Sequence, residues 1–222
     1  MAALICFALK EEAAPFHQVA AGKPGIFTII TGMGCQNAAK SVRGFLEACS
    51  PGLVLTCGFA GGLNPDLKFG DVVFEIDTRQ SSIGNQSQLP DAGYYERLLA
   101  AGAKPVKFCC VDRIATTVVE KKKLRDQTGA DAVEMESAAI QAVCRERGLP
   151  CLVVRVISDA ANENLPLDFN ALAKPDKSLD FVKLSWAIAK APGKIGELMV
   201  LQRKTRFAAT QLASVLGRVI SP

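Results

Sequence analysis

The sequence predicts a three-layer α/β fold, a mostly parallel or mixed twisted sheet flanked by helices, and three observations carry that prediction. Short runs rich in β-branched and apolar residues alternate with helical patterns, the order that builds layers around a central sheet. Apolar residues make up 49% of the 222 and are spread from end to end, enough to bury one extended core. Neither an internal repeat nor a domain-sized linker interrupts the chain, so a single domain is expected over 1–222, with 174–222 a basic helical extension.

The elements follow in order. Strands are expected at Leu4 to Leu9, Ile26 to Thr31, Leu53 to Cys57, Asp71 to Ile76, Val106 to Val111 and Leu152 to Ile157. Helices are expected at Glu11 to Ala21, Gln36 to Cys49, Tyr94 to Ala101, Val118 to Gln127 and Glu136 to Arg147. Ser81 to Gly93 is polar, with glycine and proline, and reads as a loop. Two last helices, Leu179 to Lys190 and Ile195 to Leu216, are split by Ala191-Pro192-Gly193. In sheets of this kind ligands sit beyond the carboxyl ends of the strands, so the segments after each strand are where chemistry is expected.

Composition excludes several classes. A net charge of +4 and an aromatic content of 6%, with no basic run interleaved with rings, argue against nucleic acid. The positive charge gathers at the end: from Lys174 onward nine Lys and Arg face three Asp and Glu, leaving the rest slightly acidic. Eight cysteines lie mostly in apolar segments without a CxxC pair or a neighbouring histidine, so no metal site is expected and a reducing cytoplasm fits. The start lacks a basic leader, and no run is long and uncharged enough to span a bilayer. His17 is the one histidine, so acid–base chemistry falls to carboxylates.

Four motifs stand at strand ends. Thr31-Gly32-Met33-Gly34 lies between a strand and a helix, where backbone amides could meet an oxyanion or water. Gly58-Phe59-Ala60-Gly61-Gly62 reads as a loop with amides for a sugar or base, or as a structural bend. Val133-Glu134-Met135-Glu136 sets two carboxylates where a short strand becomes a helix, and only one of them can easily face a given pocket; an acidic first helical turn explains them equally. Ser158-Asp159 ends a buried-looking strand, as site residues or as a helix cap.

Together and in this order, with Ala8-Leu9-Lys10-Glu11-Glu12, Gly70-Asp71 and Arg155-Val156-Ile157-Ser158-Asp159, these motifs resemble the methylthioadenosine and adenosylhomocysteine nucleosidases of the purine nucleoside phosphorylase superfamily. The match covers most of residues 3 to 173. It implies cleavage of the N-glycosidic bond of an adenine nucleoside with a 5′ substituent, without a cofactor. By that resemblance Asp159 is the acid that protonates N7 of the departing base, its carboxyl kept neutral by burial or neighbouring carboxylates. Glu12 is the base for the attacking water, Glu136 accepts the ribose hydroxyls, and Met135 packs on the sugar. Glu134, Phe59, Ala60, Gly61, Ser158 and, across a gap in register, Ile114 are implied on the substrate. Thr31, Gly32 and Gly34 are implied at the water or phosphate.

Phe59 stands where the family often carries serine or threonine. Beyond Asp159, Leu165-Pro166-Leu167, Ala191-Pro192-Gly193 and the basic helical tail resemble the hopanoid-associated phosphorylases, which are linked to removing adenine from adenosylhopane. That branch would use inorganic phosphate as co-substrate, and its tail could touch a membrane surface, or pack on the domain or on a second copy of the chain. Phosphorylases of the superfamily carry arginines early in the chain and before the second glycine segment. The corresponding Ala8 to Glu12 and Val54 to Cys57 have none, leaving Arg43 and Lys10 as alternative contacts and hydrolysis as the favoured reaction. A homodimer or larger assembly is expected from the resemblance. A non-catalytic nucleoside-binding protein and an NAD-dependent dehydrogenase are the readings of other classes. The second wants a glycine where Asn37 stands.

Overall fold

The side-chain alternation of the first strand sets the layers of the computed structural model, which describes residues 2–76, 91–174, 176–178, 180–191 and 193–220. In β1 (Ala3–Phe7), Ala3, Ile5 and Phe7 point to one face and Leu4 and Cys6 to the other, and all five are buried. The first face packs on α1 (Lys10–Ala20) and on the end of the chain; the second packs on α2 (Cys35–Ala48) and α5 (Ser137–Glu146). A strand covered on both faces reads as a continuous apolar run, which is why this one was visible in the sequence.

Beside β1 lie β2 (Ile26–Ile30) and β3 (Leu53–Gly62), both parallel to it, and β8 (Cys151–Asp159) runs parallel to β3. β4 (Val72–Ile76) is antiparallel to β8, and β5 (Lys104–Pro105) is parallel to β4, giving the order β2-β1-β3-β8-β4-β5. A short β7 (Ala132–Glu134) pairs antiparallel with the end of β3 and carries β6 (Phe108–Cys110) alongside it. The sheet is therefore mixed, within the expected fold class.

Three local expectations change. Gly58 to Gly62 is not a loop but the continuation of β3, because β7 and β8 supply ladder partners on both sides. Of the single strand expected over Val106 to Val111, only Phe108–Cys110 is strand, as β6 beside β7, and β5 precedes it on β4. The expected loop from Ser81 lies outside the described residues as far as position 90, and Asp91 to Gly93 begin α3 (Asp91–Ala100).

The C-terminal segment packs on the domain. α6 (Phe181–Lys190) is followed by α7 (Lys194–Val219), and Ala208, Ala209, Leu212, Ala213, Val215, Leu216 and Val219 of α7 are buried in the core against α1. The second half of α7 is thus a stave of the main core and not an appendage. Its first half keeps Ile195, Met199 and Val200 on the surface. Among the described residues no helix is long and apolar enough to cross a membrane.

Candidate active site

At the carboxyl ends of β1, β3 and β8 lies a cavity of about 200 Å³, walled by residues from seven segments of the sequence. Glu12, Phe59, Ile114, Met135, Glu136 and Asp159 all line it, as do Ala60, Gly61 and Ser158. A wider hollow of about 1040 Å³ adjoins it, and Leu9, Met33, Ile114, Met135 and Phe169 border both.

Glu12 comes from the first turn of α1, where its Oε2 accepts the backbone N–H of Leu9 at 2.9 Å, a back-bond that fixes the helix start. Its Oε1 accepts the N–H of Phe59 at 2.8 Å, which ties the carboxylate to β3. Burial pushes its pKa up to about 7, against the lowering effect of the Phe59 N–H and of Arg155. A carboxylate held by two amides and poised near neutrality can take a proton from water.

Asp159 ends β8 just after an irregularity in register: Ala60 pairs with Ile157 but Gly61 pairs with Asp159. Ser158 is the extra residue of this bulge, which turns the strand end toward the cavity. The Ser158 hydroxyl donates to Asp159 Oδ1 at 2.6 Å and to Ala60 O at 3.3 Å. The Asp159 side chain is buried. Its Oδ2 is ion-paired with Lys121 of α4 (Val118–Thr128), and the lysine is 1% exposed.

The two acids around Met135 both border the cavity, but their partners differ. Glu136 lines the cavity, with Oε1 accepting the N–H of Gly34 at 2.8 Å and Oε2 standing 3.6 Å from Arg155. Burial raises its pKa, Arg155 opposes that rise, and the charge of Glu134 adds to it. Glu134 also borders the cavity, with its carboxylate bonded within the protein. Its Oε2 takes Arg155 at 2.6 Å and the N–H groups of Glu136 and Ser137, while Oε1 takes the Ser137 hydroxyl at 2.6 Å. The Glu134 carboxylate is thus engaged by Arg155 and the helix start. Burial alone would raise the Glu134 pKa, but the Arg155 guanidinium and these hydrogen bonds hold it below the usual range.

Thr31, Gly32 and Gly34 likewise do not form an open anion cradle. Thr31 is buried and its hydroxyl donates to the carbonyls of Phe7 and Gly32, Gly32 borders only the outer hollow, and the Gly34 N–H is taken by Glu136. Ile114 does reach the cavity. Asn170 clamps its backbone, accepting the Ile114 N–H at 2.8 Å and donating to the Ile114 carbonyl at 2.9 Å. Arg43 is paired with Glu146 on the surface, and neither it nor Lys10 lines the cavity.

Sequence reasoning passed over two buried cations. Arg155 reaches Glu134, Glu136 and the Thr56 hydroxyl from the middle of β8, and a charged residue inside an otherwise apolar strand is a visible sign of a buried partner. Lys121 stands in a run of three lysines, which looks like a solvated helix face and gives no such sign.

An α/β protein whose mixed sheet gathers four carboxylates at one cavity is the class defined by fold and site. The chain belongs to the phosphorylase superfamily, whose pattern it matches over residues 7–184. It is 32% identical over 172 residues to the 5′-methylthioadenosine/S-adenosylhomocysteine nucleosidase of Shewanella halifaxensis, covering 68% of this chain and 74% of that one. Its fold is similar to that enzyme from Neisseria meningitidis in complex with methylthio-immucillin-A, with a TM-score of 0.69 at 20% identity over 99% and 98% of the two chains. The fold is also similar to native futalosine hydrolase of Helicobacter pylori, with a TM-score of 0.65 at 19% identity over 97% of each chain.

Proposed function

We propose that this protein hydrolyses the N-glycosidic bond of a 5′-substituted adenine nucleoside, releasing adenine and a free sugar. The observation that carries this reading is the placing of Glu12, Glu136 and Asp159 on one cavity, with the Gly34 amide already occupied by Glu136. A carboxylate standing at the helix start repels a phosphate dianion, whereas Glu12, with its pKa near 7, suits water. The relatedness to the methylthioadenosine/adenosylhomocysteine nucleosidases supports the same chemistry.

In this reading Glu136 accepts the ribose hydroxyls, Met135 and Phe59 cover the sugar, and Ile114 lies against the base. Breaking the C1′–N9 bond leaves positive charge on the sugar and negative charge on the purine. Asp159 passes a proton to N7, and Glu12 deprotonates the water that bonds to C1′. The outer hollow beside Leu9, Met33 and Phe169 gives the 5′ substituent room beyond the catalytic cavity.

Product analysis with methylthioadenosine tests this directly. Adenine and a reducing sugar should appear in phosphate-free buffer, at a rate unchanged by added phosphate. Strict dependence on phosphate, with a ribose 1-phosphate product, would instead establish phosphorolysis.

A further inference from the structure

Helix α4 is polar nearly all round, and its one buried residue is a lysine. Lys121 Nζ donates to the carbonyls of Ala160 and Glu163, each at 2.8 Å, and is ion-paired with Asp159 Oδ2. The turn after Asp159 is closed around that ammonium: Glu163 N–H donates to Ala160 O, while Glu163 Oε2 accepts Ala160 N–H and Lys204 Nζ. An ammonium has three protons and a neutral amine has two. With two directed at carbonyls, the third is the one available to Asp159. Losing it leaves an amine whose two N–H bonds are still made and whose lone pair is free toward the carboxyl.

We infer that Lys121 is the proton-supplying residue behind Asp159: the proton that reaches the departing purine leaves Lys121 Nζ and passes through the Asp159 carboxyl. The inference rests on the assignment of Asp159 to the leaving base made above. The C1′–N9 electron pair goes to the purine, the ion-paired Asp159 carboxylate takes a proton from Nζ, and N7 takes that proton from the carboxyl, which leaves the carboxylate and a neutral amine. The water oxygen bonds to C1′ and gives its proton to Glu12. After product release Glu12 returns its proton to solvent and the Lys121 amine regains one. A second cavity of about 480 Å³, opening from Ser158 and Asp159 past Glu163 and Lys204, gives solvent a way to the pair. One water is consumed and no net charge is left behind. Lys121 thereby resolves how a buried acid can serve as donor with an ammonium beside it.

The test compares two substrates in Lys121→Met and Lys121→Arg. Methylthioadenosine needs a proton on its leaving base, whereas 4-nitrophenyl β-ribofuranoside expels a stable phenolate and needs none. Both variants should lose roughly 10²-fold or more in kcat on methylthioadenosine, yet stay within about threefold of wild type on the nitrophenyl riboside, because the cavity and Glu12 are intact. Arginine matters here because it keeps the charge but cannot give up its proton. Full activity of Lys121→Arg on methylthioadenosine would overturn the inference, showing that charge alone suffices. Equal losses on both substrates would overturn it too, by reducing Lys121 to a structural part. A wild-type protein that cleaves the nitrophenyl riboside but no adenine nucleoside would sink the proposed substrate itself.

Discussion

Gly58 and Glu12 share one space: a Cβ added at Gly58 would lie 2.7 Å from Glu12 Oε1, and Gly58 holds φ at +148°. The missing side chain lets the carboxylate sit against β3 and take the Phe59 N–H. Gly58→Ala must displace Glu12 or strain the strand, and displacement of a reacting group by about 1 Å costs on the order of 10²-fold in rate. Steady-state assays on methylthioadenosine beside a melting curve check this, and unchanged kcat would show that Glu12 need not stand where it does.

Glu12 should also set the acid limb of the pH profile. Its base form is needed, so kcat/KM should fall about tenfold per pH unit below about 7. Folding raises this pKa, so the protonated form favours the fold; that contribution is complete below the ordinary carboxyl range and is lost as pH rises through about 7. Activity and this part of stability therefore run in opposite directions. A limb near pH 4.5, or none, would take Glu12 out of the role of base.

Glu136→Gln should slow cleavage of ribosides more than that of the matching 2′-deoxyribosides. The charge lost is the one that would accept the 2′-hydroxyl, and bonds to an ionised acceptor are about twice as strong as neutral ones. Measured side by side, the two substrates should become more alike; an equal drop in both would place the action of Glu136 elsewhere.

Arg155→Leu should destabilise the fold by about 3 to 5 kcal/mol, a fall in Tm on the order of 10 °C, by leaving Glu134 buried without its cation. Folding lowers the Glu134 pKa, so its stabilisation is present above the ordinary carboxyl range and is lost as pH falls through the folded pKa. The gap between wild type and variant should accordingly narrow in acid. Adding Glu134→Gln to the variant should restore part of the loss, and melting curves from pH 4 to 8 decide both points.

The strands that run through the core were legible because burial on two faces leaves a mark on every residue. Leu4 to Phe7 and Leu152 to Ile157 contain almost nothing that is not apolar. The glycines after Cys57 carry a local signal of irregularity, and only the pairing of Gly61 with Val133 and of Phe59 with Val156 makes them strand. Glu12, Glu136 and Asp159 were found by the order of their motifs, and the structure brings them to one cavity. What surrounds each was not legible, because a hydrogen bond such as Gly34 to Glu136 spans 102 positions of sequence. Lys121 shows the limit most plainly, since Lys122 beside it is an exposed lysine that differs from it in nothing local.

The 26 residues of α7 form a rod about 39 Å long. Leu201 and Thr205 stand on the wall of the catalytic cavity, and from Ala208 onward the same rod is driven into the core. Tuning and scaffolding are thus laid end to end on one helix, with the boundary passing between Thr205 and Ala208. Exchanges on the near side can reshape which nucleoside fits while the rest of the molecule holds the rod still. On the far side even Leu216→Ala would cost roughly 2 to 5 kcal/mol. Selection for a new substrate therefore has freedom along the first three turns of this helix, and along the last three only at exposed positions such as Thr210, Ser214 and Arg218.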